Sequence, residues 1–229
     1  MGKNTANVHQ RPVYAVIGSI LDRTDLNQYI KNTIIWGPGF VSESGRLAGA
    51  PAKICAVRGP LSREILVKQK IDCPEIYGDP ALLYPRFYLP EKEKKYRLGI
   101  IPHYVDKSSD AIKNLAGSPE VKIIDIERPI NDVVDQICSC KYIASSSLHG
   151  IIAADAYHIP SLWMKISENV VGNGFKFRDY FASVGRRDEK PLAITEKSTI
   201  DDIYGSFGNY KIDIDLDALL EACPFRCQQ

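Results

Sequence analysis

The sequence predicts an α/β protein with parallel sheets, arranged as two units of alternating strands and helices. Three observations lead to this prediction. Short runs rich in β-branched residues alternate with helical patterns, glycine or proline turns follow the strands, and a proline- and charge-rich stretch at residues 86–95 separates two such series. Strands that alternate with helices pair in parallel through right-handed crossovers. Ligands of such sheets bind at the carboxyl ends of the strands, so we expect a cleft between the units.

The composition is that of an ordinary globular protein. Of its 229 residues, 45% are hydrophobic and 25% are charged, which is enough for a sizeable core. The formal net charge of +1 gives no general field for nucleic acid, so any anion site must be local. The polar N-terminus lacks a signal-peptide core, and no uncharged apolar run is long enough to span a bilayer. We therefore expect a cytoplasmic protein.

Six cysteines are scattered along the chain, whereas a disulfide framework is denser and occurs in much shorter chains. This usage favours a reducing compartment. Two pairs, Cys138 with Cys140 and Cys223 with Cys227, lack the spacing of structural zinc ligands, and no histidine pair accompanies them. We predict no bound metal.

The first unit is predicted as a short domain over residues 1–92. Its buried strands are expected at residues 14–18, 33–36 and 54–57. Gly59-Pro60 then opens a helix to about residue 70, because proline in the first turn lacks only an N–H that would have no partner there. A short helical turn is expected at residues 78–83.

The second unit is predicted over residues 93–229, and its last helix is a candidate to pack back on the first domain. Its strands are expected at residues 97–101, 121–124, 142–144 and 161–164. Its helices are expected at residues 106–115, 130–138 and 148–157.

A serine-led helix start is the strongest candidate site. A buried strand delivers Ser145, Ser146 and Ser147 to the apolar helix at residues 148–157. Unpaired N–H groups, the positive end of the helix dipole and the hydroxyls suit a phosphate or carboxylate. His149 lies in the first turn, beside that anion, and imidazole exchanges protons near neutral pH. We predict that His149 is catalytic. The alternative is that the serines are only caps and His149 is a surface residue.

Other candidates follow the strands of both units. Arg58 ends the third strand, so its guanidinium is expected at the same carboxyl edge, suited to a bidentate grip on an anion; the alternative is a surface salt bridge. His103 follows a strand of the second unit, where a Pro-His-Tyr turn is more often structural. Gly37 and Gly39 can let the backbone approach a ligand closely, although turns use the same residues.

Residues 175–180 interleave two cations with aromatic residues. Such a segment can reach over a cleft and stack on a sugar ring while Lys176 meets an anion. The alternative is a helix that packs Phe177 and Phe181 on the core. Packing of these aromatic side chains on the core does not explain the presence of Lys176.

Six motifs follow one another along the chain: residues 34–39 (IIWGPG), 56–62 (AVRGPLS), 77–81 (YGDPA), 99–103 (GIIPH), 145–150 (SSSLHG, followed by Ala153, Asp155 and Ala156) and 175–177 (FKF). The ordered set resembles the polysaccharide pyruvyl transferase family, in particular its exopolysaccharide members. The resemblance covers roughly residues 13–186.

The resemblance implies a fold similar to the glycosyltransferase-B architecture, in which two Rossmann-like domains face each other across a cleft, the first on the acceptor side and the second on the donor side. It implies transfer of pyruvate from phosphoenolpyruvate to a sugar of an exopolysaccharide or capsule precursor, as a cyclic ketal. His149 is then the general acid that protonates the methylene carbon. The expected substrate-binding residues are Arg58, Ser145, Ser146, Ser147, Leu148, Gly150, His103, Lys176, Gly37 and Gly39.

The same resemblance sets the expected ligands. Phosphoenolpyruvate is a substrate, and no cofactor or nucleic acid is expected. The acceptor is a glycan or a lipid-linked oligosaccharide, which implies transient contact with the cytoplasmic face of the inner membrane, although no amphipathic basic helix is evident to hold the protein there.

The chain departs from the family pattern at two places. Many members carry an arginine two residues before the histidine, where this chain has Ser147, so Lys176 or Arg178 is expected to supply the missing charge. Members usually carry a further strand and helix with a Gly-Asp signature before the first strand, so the first domain is expected to be short. Two alternatives stay open: a nucleotide-sugar-dependent glycosyltransferase of the same architecture, and a truncated, non-catalytic glycan-binding member.

Overall fold

The computed structural model describes residues 11–186 and 189–225. Three short parallel strands form the first sheet, in the order β1-β2-β3. They are β1 (Val13–Ala15), β2 (Thr33–Trp36) and β3 (Lys53–Ala56). Helix α1 (Thr24–Asn27) and a 3-10 turn (Ile30–Asn32) connect β1 to β2, and α2 (Pro60–Lys68) follows β3 with Pro60 in its first turn.

The second sheet has five parallel strands in the order β5-β4-β6-β7-β8. They are β4 (Tyr96–Ile101), β5 (Val121–Ile123), β6 (Cys140–Ser145), β7 (Ser161–Lys165) and β8 (Leu192–Ala193). The helices are α3 (Asp110–Ala116), α4 (Ile130–Cys138), α5 (Leu148–Ala156), α6 (Phe175–Ser183), α7 (Ile200–Gly205) and α8 (Leu216–Glu221). Two further 3-10 segments span Pro80–Arg86 and Tyr104–Asp106.

The predicted α/β class with parallel sheets is confirmed. The prediction of a helix from residue 106 is wrong by one turn, because α3 begins only at Asp110. Ser109 is in an extended conformation and its hydroxyl accepts from the N–H of Ile112, which fixes the helix start there. Residues 192–193 and 200–205 form elements that the sequence patterns did not predict, and the expected last helix spans residues 216–221.

The two sheets are joined by elements that cross between them. Phe175 at the start of α6 is buried in the core of the first sheet, with Ile35 and Leu66. The Trp36 indole N–H donates to the carbonyl of Leu219 in α8, at 2.9 Å. Helices α6 and α8 therefore pack against the first sheet, although both lie after β7 of the second sheet in the chain. Within residues 11–186 and 189–225, no helix is both long and apolar enough to cross a membrane.

The 3-10 segment Pro80–Arg86 links the first unit to the candidate site. Its Leu82 is 2% exposed and shares a hydrophobic core with Leu148 and Ile151 of α5. This packing holds the residue before the segment, Asp79, against the N-terminus of α5.

Candidate active site

The first two serines fasten the turn between β6 and α5. Ser145 is fully buried; its hydroxyl accepts from the N–H of Ser147 at 3.0 Å and donates to the carbonyl of Ser147 or of Ile101. The Ser146 hydroxyl accepts from the N–H of His103 at 2.8 Å. A Cβ on Gly150 would lie 2.4 Å from the Ser145 hydroxyl oxygen, so only glycine fits at this position. These contacts fix the direction of the helix terminus.

Groups that can meet an anion remain at this helix terminus. Ser147 is the N-cap of α5, but its hydroxyl does not cap the helix and makes no hydrogen bond to any residue that the structure describes. The backbone N–H groups of Leu148 and His149 lie in the first turn, where no intrahelical acceptor exists. A hydroxyl and two amides are thus available at the positive end of a nine-residue helix.

His149 faces a carboxylate from the first unit. Its Nε2 lies 3.7 Å from Oδ2 of Asp79, and both atoms are buried without a hydrogen-bond partner among the described residues. The other oxygen of Asp79 accepts from the N–H of Ala81 at 2.9 Å. The His149 side chain is 40% exposed and that of Asp79 is 1% exposed. One edge of the imidazole is therefore buried against Asp79, and the rest is open.

The electrostatics of this pair favour neutral forms. Burial lowers the pKa of His149, with smaller lowering contributions from the cations Arg58 and Lys176, and Asp79 opposes the shift. Burial raises the pKa of Asp79, against the opposing effects of His149 and of two backbone N–H groups. The pKa values of the two groups are thus shifted toward each other, a perturbation that is common at acid–base sites.

Arg58 is not at the surface. Its guanidinium is fully buried and forms an ion pair with Asp179 at 2.9 Å, so the alternative of a surface salt bridge is wrong. All three nitrogens are occupied: Nε donates to Asp179, Nη1 to Ser19 and Nη2 to the carbonyl of Phe40. Contact between Arg58 and a substrate stays a prediction, and it requires the fully buried guanidinium to become accessible.

Asp179 ties α6 to the first unit. Besides Arg58, its carboxylate accepts from the backbone N–H and the hydroxyl of Ser62 in α2, at 2.9 and 2.6 Å. A Cβ on Gly59 would lie 2.0 Å from the carbonyl oxygen of Asp179, so this junction is tightly packed. Arg58 and Asp179 therefore set the position of α6, which carries Lys176.

The glycines of the GPG turn are packed against protein. A Cβ on Gly37 would lie 2.1 Å from Pro80, and one on Gly39 would lie 2.5 Å from the Arg58 guanidinium. Gly37 also has a φ of +94°, which favours glycine. The space beside both residues is filled by neighbouring side chains, and a role for them in ligand binding stays a prediction.

Lys176 is the uncompensated cation of the site. Residues 175–183 form a helix, and Phe177 stacks on Trp163 in the core at 4.6 Å, so the aromatic side chains serve packing. Lys176 is half-buried and has no ion pair or hydrogen bond with any described residue, and burial, followed by Arg58, lowers its pKa. Arg178, in contrast, contacts Glu43 and the carbonyl of Asn173.

The lysine lies close to both candidate histidines. Its charge is among the causes that lower the pKa of His149 and of His103. For His103 burial is the largest cause, and Asp106 opposes the shift. The structure thus brings His149, His103 and Lys176 together at the start of α5. Arg58 is instead buried, in an ion pair with Asp179 of α6.

Three acidic residues of this region were missing from the sequence-based candidates. Asp79 lies in a Gly-Asp-Pro motif that predicts a turn. Its one further signal is that it follows Tyr77, which pairs with Val57 as a strand residue would, so that Asp79 lies at the carboxyl edge of the sheet. Asp106 has one buried oxygen without a partner, while the other accepts from Ser167. Asp179 lies in an aromatic helix and gives no signal in the sequence.

Two cavities open beside the site. One of about 430 Å³ lies at the carboxyl end of β7, where Ser146, Ser167 and Arg178 line it. Another of about 300 Å³ is mostly apolar and is lined in part by His149. Within the part of the chain that the structure describes, no group of three or more His, Cys, Asp or Glu side chains is placed to hold a metal ion.

With its parallel sheets the chain is an α/β protein, and a helix N-terminus with free donors lies beside a histidine–carboxylate pair. The sequence profile of the family "Polysaccharide pyruvyl transferase" matches residues 10–168, more than half of the chain. The chain belongs to this family, and the predicted membership is confirmed.

Two relatives illustrate the similarity. The chain is 34% identical over 225 residues to uncharacterized protein L143 of Acanthamoeba polyphaga mimivirus, which covers 94% of this chain and 75% of the relative. It is 26% identical over 185 residues to the succinoglycan biosynthesis protein ExoV of Rhizobium meliloti (strain 1021), which covers 78% of this chain and 55% of that protein. The chain thus spans about half the length of the latter. No solved structure matches the chain, and the glycosyltransferase-B architecture stays a prediction.

Proposed function

We propose that the protein transfers a pyruvyl group from phosphoenolpyruvate to a sugar of an exopolysaccharide or capsule precursor, forming a cyclic ketal. Membership of the polysaccharide pyruvyl transferase family supports the reaction class, and the relative named for succinoglycan biosynthesis supports a polysaccharide acceptor. The observation that carries the proposal is the pair of unpartnered atoms, His149 Nε2 and Asp79 Oδ2, 3.7 Å apart at the start of α5.

The donor carries a phosphate and a carboxylate, and the site offers two kinds of anion ligand. The Ser147 hydroxyl and the first amides of α5 suit one anion through the helix dipole. Lys176, which has no counter-charge among the described residues, suits the other. This division assigns to Lys176 the charge that the family's arginine supplies at the position of Ser147.

Proton transfer can be followed atom by atom. His149 in its imidazolium form donates a proton to the methylene carbon of phosphoenolpyruvate, which becomes a methyl group beside an oxocarbenium-like centre. One sugar hydroxyl attacks that centre and gives its proton to the now neutral His149. The C–O bond to phosphate then breaks, a second hydroxyl closes the ketal, and its proton leaves with the phosphate. Asp79 stabilises the imidazolium and is a positioning residue.

The pKa shift of His149 makes this sequence depend on donor binding. In the free protein, burial lowers the pKa of His149, so the neutral imidazole dominates near neutral pH. The negative charge of a bound donor raises this pKa. Protonation of the acid is then coupled to substrate binding, which limits proton loss to water in the empty site.

The test is incubation with phosphoenolpyruvate and a panel of pyranosides. The expected result is release of inorganic phosphate in equal amount to an acid-labile ketal, detected by NMR through its methyl group. His149→Gln should reduce turnover by about 10²- to 10⁴-fold, while His158→Asn should leave it unchanged. His158 is exposed and has a left-handed backbone (φ 55°) that asparagine tolerates. No transfer to any acceptor, together with stabilisation by a nucleotide diphosphate sugar, would favour a glycosyltransferase instead.

A further inference from the structure

The cavity of about 300 Å³ beside His149 is assembled from separate parts of the chain. Ile17 contributes from the first unit, Tyr84 from the 3-10 segment Pro80–Arg86, Ile130 from α4, and His149 and Ala153 from α5. A ligand in this cavity therefore touches the same imidazole that we assign to proton transfer. Its contents must lie within a few ångströms of the reacting carbon.

The lining leaves almost no hydrogen-bonding group for a sugar hydroxyl. The Tyr84 hydroxyl donates to Asn131 at 2.6 Å, and the Tyr157 hydroxyl donates to the carbonyl of Tyr88 at 2.5 Å, so the proton of each hydroxyl already has an acceptor. The remaining side chains, apart from His149 and Arg128, are aliphatic. Because an unpaired polar group is costly to bury, the cavity selects an apolar group.

The rim of the cavity is apolar and exposed. Ile17 is 44% exposed and Ile130 is 58% exposed, and contiguous apolar surface of this kind marks binding sites. Arg128 is the cation among the lining residues, and its contact with Asp132 is long, at 3.8 Å. Its guanidinium can therefore donate to a carbonyl or ether oxygen at the cavity entrance.

We propose that this cavity holds an apolar substituent, of acyl or aryl type, on the sugar ring that receives the pyruvyl group. The inference rests on the proposed function. The donor does not fit the cavity, because its phosphate and carboxylate would lose hydration without partners. An unsubstituted pyranose fits poorly, because few lining groups can pair with its several hydroxyls. At about 30 Å³ for each water-sized volume, the space suits roughly ten non-hydrogen atoms.

The experiment compares methyl and phenyl glycosides of the same pyranoses as acceptors, which differ only in an apolar group. The phenyl glycoside should have a kcat/KM at least about tenfold higher, because its ring leaves water for apolar surface. Binding of each glycoside to the full chain is also measured by saturation-transfer NMR, which needs no turnover.

Two variants of the full chain alter the cavity. Ala153→Phe fills it from a helical position, and Ala182→Phe on the exposed face of α6 is the matched control. Ile130→Ser removes apolar surface from the rim without touching the core, and Val67→Ser at an exposed position of α2 is its control. Ala153→Phe and Ile130→Ser should each reduce the phenyl preference to less than about threefold, and the controls should keep it.

The outcomes separate this inference from the proposed function. Pyruvyl transfer with equal kcat/KM for methyl and phenyl glycosides would overturn the cavity assignment and leave the function intact. Absence of transfer to any acceptor would overturn the function; saturable phenyl glycoside binding that Ala153→Phe abolishes would still support an apolar site. If neither transfer nor phenyl glycoside binding is seen, both proposals fail.

Discussion

Asp79→Asn tests the histidine–carboxylate pair most directly. The substitution keeps an acceptor for the N–H of Ala81 and nearly the same volume, but it removes the negative charge that faces His149. The pKa of His149 is already lowered by burial, and Asp79 is the group that opposes this shift. Its pKa should therefore fall further in the variant.

The size of the effect follows from the geometry. At a separation of 3.7 Å, Coulomb's law gives about 4.5 kcal/mol at an effective dielectric constant of about 20. Because the imidazole is 40% exposed, solvent screens the interaction, and we take about a third of that value. This corresponds to a fall of about one unit in the pKa of His149. At pH values above that pKa, the fraction of His149 in the imidazolium form is then about tenfold smaller.

The assay is NMR titration of the histidine ring signals, with His149→Gln used for assignment, and pH profiles of turnover. A general acid loses activity as pH rises through its pKa, so this limb should move to lower pH by about one unit in Asp79→Asn. The defect should be largest at high pH and shrink toward low pH. An unchanged pKa of His149, or a defect independent of pH, would refute the proposed coupling.

The same substitution should stabilise the fold. The raised pKa of Asp79 means that its ionised form costs stability, and this cost grows as pH rises from the unfolded value near 3.9 through the raised folded value. Asparagine carries no such charge, so the free energy of unfolding at pH 7 should be higher in the variant than in the unmodified protein. Asp106→Asn is the matched control: it also changes a buried carboxylate with one unpartnered oxygen, but it should alter the pKa of His103 instead.

Three further predictions address the surrounding groups. Asp179→Ala should lower the free energy of unfolding by about 3–5 kcal/mol in urea, because Arg58 is left buried without a counter-charge; a loss below about 1 kcal/mol would contradict the buried pair. Lys176→Met should raise the Kd for phosphoenolpyruvate at least about tenfold in calorimetry, while Arg178→Met, whose guanidinium has other partners, should change it less than about threefold; equal effects would remove Lys176 from its assigned role. Phosphoenolpyruvate binding at pH 7 should take up protons, seen as a buffer-dependent binding enthalpy, because the donor raises the lowered pKa of His149; the same uptake in His149→Gln would place the proton elsewhere.

Local patterns were sufficient for most of the architecture. Periodicity and turn residues predict seven of the parallel strands, and the start of α2 at Pro60 follows from its fixed φ and missing N–H. They also predict that three serines lead into α5 and that His149 lies in its first turn. These features depend on neighbours in the chain, which a single sequence contains.

The partners of the site residues depend on contacts between distant segments. His149 meets Asp79 because the 3-10 segment Pro80–Arg86 packs against α5, and Arg58 is buried because α6 returns to α2 with Asp179. Neither contact leaves a periodic signal, since each joins residues 70 or more positions apart. Sequence alone thus determined the serine-led start of α5 and the position of its histidine. Tertiary packing decided which carboxylate faces that histidine and left Lys176, rather than Arg58, as the cation free to meet a ligand.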